Sequence, residues 1–164
     1  MYEVELRARI DGVVKEKIAA TCERTGEKTQ EDEYFSFIDD DIPVLRIRRQ
    51  GDIAILNFKG IGPAAGVWPE WETRIEEPGR LKDVLLTSKF RLLMTIRKRR
   101  TRYVQGDFEI NVDEIDGLGT FVEAELMAEN HERAHARIRE LFSRLGIPEN
   151  AIVAKSYIDM LLGK

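Results

Sequence analysis

The sequence lacks the features that several protein classes require. Its one cysteine, Cys22, cannot form an internal disulfide, and no charged and apolar leader is evident, so we expect a cytoplasmic protein that folds without disulfides. No stretch approaches the roughly 20 consecutive apolar residues of a membrane-spanning helix. No glycine-rich loop of the P-loop or dinucleotide type is present. Any phosphate site must therefore be built from side chains.

The chain also has no large excess of charge of either sign. Its net charge is -4 although 34% of its residues are charged, which argues against bulk binding to nucleic acids or anionic membranes. With 164 residues and no linker-like segment, we expect a single domain over 1–164 with a substantial core. Any basic site must then be local.

Alternation of charged and apolar residues is the strongest pattern that is present. Three short runs, 3–7, 45–48 and 122–126, place charges at every second position. In a strand, successive side chains point to opposite faces, so each run has a charged face and an aliphatic face. One such run is typical of a sheet with a wet outer face. Several in one small chain favour a charged concavity.

The remaining pattern predicts an α+β fold. About eight β-prone segments separated by turns alternate with three or four helical segments, including a first helix from Asp11 to Gly26 and a strongly amphipathic one after Asn130. We expect an eight-stranded antiparallel barrel, closed or nearly closed, with helices packed on the outside. Outward charges would leave the amphipathic helices nothing to cover, so we favour charges that line the interior.

Two pairs of carboxylates suggest a metal site. Glu3 and Glu5, and again Glu123 and Glu125, lie two apart on one strand, with side chains about 7 Å apart on the same face. If the two strands are neighbours, four carboxylates converge, and Mg²⁺ or Mn²⁺ is the natural counterion. Exposure to water, or pairing with nearby arginines, is the alternative that spacing alone leaves open.

Basic residues recur on other strands. Arg46 and Arg48 share one face, and in the run 97–102 parity places Lys98 and Arg100 on the face opposite to Arg97 and Arg99. Arginine and lysine are the side chains that bind and neutralise a triphosphate. A solvated surface strand is the alternative explanation of the run.

These segments resemble the CYTH family, also called triphosphate tunnel metalloenzymes. The resemblance rests on residues 3–7, 45–48 and 58–60, on the Lys98 and Arg100 pair, and above all on residues 112–125. Members of the family have an antiparallel eight-stranded tunnel and act on triphosphates with Mg²⁺ or Mn²⁺. The size of this chain is most similar to the class IV adenylate cyclase branch.

The resemblance implies a role for each matching residue. The metal ligands would be Glu3, Glu5, Glu72, Asp113, Glu123 and Glu125. The groups that bind the triphosphate would be Arg7, Arg46, Arg48, Lys59, Lys98, Arg100 and Lys155, and the catalytic set would be Asp113, Lys98 and Arg100. The family's opening motif usually ends in lysine, whereas Arg7 stays protonated in proteins and can only supply charge.

The resemblance leaves three functions open. The first is a cyclase that converts ATP to cyclic AMP and pyrophosphate, and the second is a triphosphatase that releases orthophosphate from inorganic or organic triphosphate. The third is a noncatalytic module that binds nucleotide or polyphosphate. We expect a small-molecule triphosphate as the partner, and neither a membrane nor a nucleic acid. RNA binding is a further alternative, and it would use the outward half of the run 97–102. A homodimer through a barrel flank is compatible with the sequence.

Overall fold

The computed structural model describes residues 2–59, 67–68 and 70–163, with the backbone alone at positions 59, 67, 68 and 70. Within these ranges nine strands form one antiparallel sheet in the order β5-β1-β9-β8-β7-β2-β3-β4-β6. The strands are β1 Tyr2–Arg9, β2 Glu23–Phe37, β3 Leu45–Gln50, β4 Ile53–Lys59, β5 Val67–Trp68, β6 Glu70–Arg74, β7 Phe90–Gln105, β8 Phe108–Ile115 and β9 Gly119–Ala128. The helices are α1 Gly12–Thr21, α2 Pro78–Thr87, α3 His131–Leu145 and α4 Tyr157–Leu162.

The sheet curls into an open barrel. Its two edge strands, β5 and β6, are separated by one residue in the sequence, so covalent geometry keeps Trp68 and Glu70 within about 7 Å of each other. The two edges of the curled sheet therefore approach each other at this point. The predicted α+β barrel is confirmed, with the two-residue strand β5 added to eight longer strands in the described residues.

The largest apolar cluster lies outside the barrel. Val4 and Val122 project from the outer face of β1 and β9 onto Ile138 and Phe142 of α3, and all four side chains are almost completely buried. Each such side chain contributes about 1.5 to 3 kcal/mol when it is fully buried. The outer face is thus held by the helices, as the amphipathic pattern predicts.

The caps of α3 fix its length. The side chain of Asn130 accepts a hydrogen bond from the backbone N–H of Arg133 at 2.8 Å, which satisfies one free donor of the first turn. At the other end Gly146 has φ 85°, a left-handed conformation that favours glycine. These two caps mark the ends of α3 at His131 and Leu145.

The second helix covers another part of the outer face. Leu85 of α2 packs against Phe35 of β2 and Ile47 of β3, and all three side chains are buried. The first helix ends earlier than the spacing predicts: α1 stops at Thr21, and Gly26 lies beside a register shift in β2 instead of at a helix end. The helix cannot continue past this point because β2 already pairs with β7 from Glu23 onward.

The last helix, α4, packs differently from α2 and α3. Tyr157 and Ile158 contact Ile96, Ile115 and Phe121, which share the inward parity of their strands. This cluster closes part of the barrel interior with apolar side chains. Within the described residues, no helix has the length and apolar content needed to cross a membrane.

Candidate active site

The charged faces of the strands turn inward, as predicted. They line a cavity of about 960 Å³ inside the barrel. The lining includes Glu3, Glu5, Arg7, Arg46, Arg48, Lys98, Arg100, Glu123 and Glu125. The outward alternation of the same strands supplies the apolar clusters under the helices. One strand period therefore builds both the core and the polar cavity.

Three carboxylates converge on one side of this cavity. Antiparallel pairing of β1 with β9 sets Glu5 directly opposite Glu125, and carboxylate oxygens of Glu3, Glu5 and Glu125 lie within 4.8 Å of one another. Burial, together with the charges of Glu3, Glu123 and Glu5, raises the pKa of Glu125 to about 8. Asn111 Nδ2 donates a hydrogen bond to Glu125 at 3.1 Å.

The acidic cluster fits a hard divalent cation. Its ligand atoms are all carboxylate oxygens, the type that Mg²⁺ and Mn²⁺ prefer. Burial and the neighbouring carboxylates together raise the pKa of Glu125, so this third carboxylate is difficult to ionise when no cation is bound. A cation would relieve that repulsion while it leaves the carboxylates ionised.

The fourth carboxylate of the two pairs faces cations instead. Register places Glu123 opposite Arg7, whose Nε donates to Glu123 at 2.8 Å and whose Nη2 donates to Glu5 at 2.7 Å. Arg100 Nη2 also donates to Glu123. Burial would raise the pKa of Glu123, but Arg7, Arg100 and Lys98 hold it well below its usual range. Glu123 thus joins the acidic cluster to the basic groups.

A buried aspartate holds two of the basic residues. Asp113 has no exposed surface; its carboxylate accepts from Arg100 Nε at 2.7 Å and Nη2 at 2.6 Å, and from Lys98 Nζ at 3.1 Å. Burial would raise the pKa of Asp113, but Arg100 and Lys98 lower it. Burial, with the charges of Arg100 and Arg48, lowers the pKa of Lys98 to about 8.

The same arrangement recurs on the other side of Lys98. Asp32, also without exposed surface, accepts from Arg48 Nε at 2.7 Å and Nη2 at 2.8 Å, and Arg46 Nη1 lies 3.9 Å from its Oδ2. Two buried aspartates therefore grip Arg48 and Arg100 by the same edge of the guanidinium. This fixes both guanidiniums as walls of the cavity.

The other predicted residues are placed less centrally. Glu72 lines the cavity from β6 and accepts from Asn57 Nδ2 at 3.2 Å. Lys155 is exposed, and its carbonyl, which accepts from Arg7 Nη1 at 2.9 Å, is its contact with the site. The side chain of Lys59 lies outside the described part of the chain.

Arg7 is more constrained than its predicted phosphate-binding role requires. Its Nε, Nη1 and Nη2 each donate to a protein acceptor, and its guanidinium carbon lies 4.3 Å from the centre of the Tyr157 ring. The carboxylates of Glu123 and Glu5 raise the pKa of Arg7 above its usual value despite its burial. Arg7 is thus placed to organise the carboxylates around it.

Two residues of the site escape the charge pattern. Asp32 lies in a run of three acidic residues, so the charge pattern does not distinguish it from its neighbours. Its parity on β2 nevertheless matches that of the inward residues. Tyr157 belongs to α4, whose contact with the interior depends on how the chain returns to the barrel. No local sequence signal carries that information.

The outward half of the basic strand is ion-paired. Arg97 Nε donates to Glu31 at 2.7 Å and Arg99 Nε donates to Glu114 at 2.6 Å. The side chains of Arg97 and Arg99 are 67% and 53% exposed, which confirms their predicted parity. Each of these two outward arginines is therefore paired with an acidic side chain on the outer face of the sheet.

Comparisons with known proteins agree with the geometry. The sequence profile described as CYTH domain matches residues 1–157. The chain is 29% identical over 174 residues to the Methanocaldococcus jannaschii protein named "Putative adenylate cyclase MJ0240", with 98% of each chain covered. It is 27% identical over 86 residues to "Adenylate cyclase CyaB" of Aeromonas hydrophila, covering 51% of this chain and 45% of the relative.

A solved structure has the same fold. The PH1819 protein of Pyrococcus horikoshii superposes with a TM-score of 0.88 at 25% identity, and 99% of each chain is covered. The curled sheet and its helices are therefore shared over the whole length of both chains.

Proposed function

Because the chain belongs to the CYTH domain family, we propose that it is a metal-dependent enzyme that converts ATP to cyclic AMP and pyrophosphate. The observation that carries the proposal is the pairing, in one cavity, of a three-carboxylate cluster with a buried set of cations. The names of the two adenylate cyclase relatives support the choice of cyclase.

The basic residues would hold the triphosphate. Arg48 and Arg100 are gripped through Nε and Nη2, so the Nη1 side of each is the part of the fork left to face phosphate oxygens. Lys98, between them, adds a point charge, and Arg46 lines the same cavity. Preorganised donors of this kind stabilise charge that develops on phosphate oxygens.

The acidic cluster would hold the cation. Glu3, Glu5 and Glu125 would bind Mg²⁺ or Mn²⁺, and Glu72 lines the same cavity from β6. The ion would supply Lewis-acid stabilisation of phosphate charge. We assign Asp113 a positioning role, because it has no exposed surface and is fully engaged by Arg100 and Lys98.

The reaction would be an in-line displacement. The ribose 3′-hydroxyl of ATP attacks the α-phosphorus and gives its proton to a carboxylate of the acidic cluster or to water. The bond from the α-phosphorus to the oxygen that bridges it to the β-phosphorus breaks, and this oxygen leaves with pyrophosphate. Lys98 and Arg100 would neutralise the charge that accumulates on the departing pyrophosphate. The protein's contribution is to align nucleophile and phosphorus, which is worth several orders of magnitude in rate. A water molecule aligned with the γ-phosphorus would give triphosphatase activity in the same cavity.

Product analysis tests the proposal. Purified protein is incubated with ATP or inorganic tripolyphosphate and Mg²⁺ or Mn²⁺, and the products are separated by chromatography. We expect cyclic AMP and pyrophosphate from ATP, and loss of both products in Glu5→Ala. Orthophosphate as the product would identify a triphosphatase instead.

A control keeps a negative result informative. Glu31→Gln changes a carboxylate on the outer face of β2, where it pairs with Arg97, and should leave turnover unchanged. Binding of triphosphate without any product would indicate a noncatalytic binding module. If the protein neither binds triphosphate nor turns it over, the proposed triphosphate site in this cavity is refuted.

A further inference from the structure

Helix α4 carries a tyrosine into the charged interior. Tyr157, its first residue, is 5% exposed, and its ring packs edge-on against Phe121 with 5.3 Å between ring centres. It also lines the cavity with Arg7 and Lys98. The Arg7 guanidinium carbon lies 4.3 Å from the centre of the ring, and Lys98 Nζ lies 5.1 Å from it.

The hydroxyl of this tyrosine is buried and has no hydrogen-bond partner among the described residues. Buried hydroxyls are nearly always paired, so an unpaired one calls for an explanation. The two charged side chains against the ring are donors that cannot accept a hydrogen bond. The carboxylates of Glu123 and Asp113 act on the hydroxyl electrostatically, but neither forms a hydrogen bond with it. An acceptor oxygen that enters the cavity from outside would satisfy this hydroxyl.

A phosphate oxygen has the required chemistry. It accepts hydrogen bonds, it is attracted by Arg7 and Lys98, and it would be brought to the same wall of the cavity by the basic residues that line it. We propose that the Tyr157 hydroxyl donates a hydrogen bond to a nonbridging phosphate oxygen of the bound triphosphate. This inference rests on the proposed triphosphate function, and it makes α4 part of the binding site.

The test compares two tyrosine variants. Tyr157→Phe removes the hydroxyl and keeps the ring contacts with Arg7 and Phe121. Tyr103→Phe is the matched control, because Tyr103 is equally buried, at 5% exposed, but belongs to the outer cluster under the helices. The dissociation constant of inorganic tripolyphosphate is measured by calorimetry, and the melting temperature of each ligand-free protein is measured by circular dichroism.

We expect the dissociation constant of Tyr157→Phe to rise roughly ten-fold or more, the loss typical of one hydrogen bond to a charged acceptor. Its ligand-free melting temperature should match or exceed that of the wild type, since no protein partner is lost. Tyr103→Phe should bind like the wild type. The inference is overturned if Tyr157→Phe binds with unchanged affinity, or if its ligand-free melting temperature falls, which would reveal a structural role. If the wild type itself does not bind tripolyphosphate, the proposed function fails and this inference fails with it.

Discussion

Replacing Asp32 by asparagine removes the buried carboxylate that holds Arg48. The wild-type carboxylate accepts two hydrogen bonds from Arg48, at 2.7 and 2.8 Å, and lies 3.9 Å from Arg46. Asp32 has no exposed surface, so water cannot replace it. The substitution leaves the buried Arg48 guanidinium without the carboxylate that accepts its two hydrogen bonds.

The loss of stability should be large. Removing one partner of a buried ion pair costs about 3 to 5 kcal/mol. For a chain of this size each kcal/mol lowers the melting temperature by roughly 2 to 4 °C, so we expect a fall of roughly 6 to 20 °C for Asp32→Asn. Chemical denaturation followed by circular dichroism measures the corresponding change in the free energy of unfolding.

The effect should also depend on pH with a definite sign. Burial would raise the pKa of Asp32, but Arg48, Arg46 and Lys98 lower it well below its usual range. A carboxyl group with a lowered pKa stabilises the fold above its unfolded pKa of about 3.9, and this contribution disappears as the pH falls through the folded pKa. The gap between wild type and Asp32→Asn should thus be constant from pH 5 to 7 and shrink below about pH 4.

A neighbouring variant separates this pair from ordinary surface charge. Glu31 lies next to Asp32 on β2 and pairs with the exposed Arg97 of β7. Glu31→Gln removes this pair and should lower the free energy of unfolding by at most about 1 kcal/mol. Equal destabilisation by Asp32→Asn and Glu31→Gln, or a gap that does not shrink in acid, would refute the view that Asp32 is a buried counterion.

Three other substitutions probe the acidic cluster, the basic wall and the outer core. Because the pKa of Glu125 in the folded protein is about 8, ionisation of this carboxyl group opposes folding at high pH. Glu125→Gln should therefore raise the ligand-free melting temperature more at pH 8 than at pH 5. The same variant should abolish stabilisation by Mn²⁺ in thermal melts. Lys98, with its pKa lowered to about 8, loses its charge as the pH rises from 8 to 9, so tripolyphosphate affinity should fall by up to about ten-fold over that pH unit. Calorimetry on Lys98→Arg, whose side chain stays charged, should show a smaller change of affinity with pH. Phe142→Ala, at a site 1% exposed in the outer cluster, should cost about 3 to 5 kcal/mol in denaturant unfolding and leave tripolyphosphate affinity unchanged; a large loss of affinity would show that the outer core and the cavity are coupled.

Strand parity explains why much of the site was predictable. Alternation places each of Glu5, Arg48, Lys98 and Arg100 on the charged face of its strand. The amphipathic helices must cover the opposite, apolar faces, so the inward direction of the charges follows from the sequence. The same periodicity sent Arg97 and Arg99 to the surface, where they lie.

The partners of those residues were not predictable, because they depend on register between distant strands. The sequence offered four similar carboxylates, and pairing of β1 with β9 set Glu125 beside Glu5 but Glu123 beside Arg7. A shift of two residues would set either Glu5 opposite Glu123 or Arg7 opposite Glu125 without changing any parity. Register therefore separates the acidic cluster from the ion-paired carboxylate.

The sequence by itself determined the fold class and which strand faces carry the charged residues, because both follow from a period of two residues that is visible locally. Only the tertiary structure decided that Asp32 and Asp113 are buried counterions and that α4 brings Tyr157 to the cavity. Those contacts join residues far apart in the chain, and a local period carries no information about which distant segments meet.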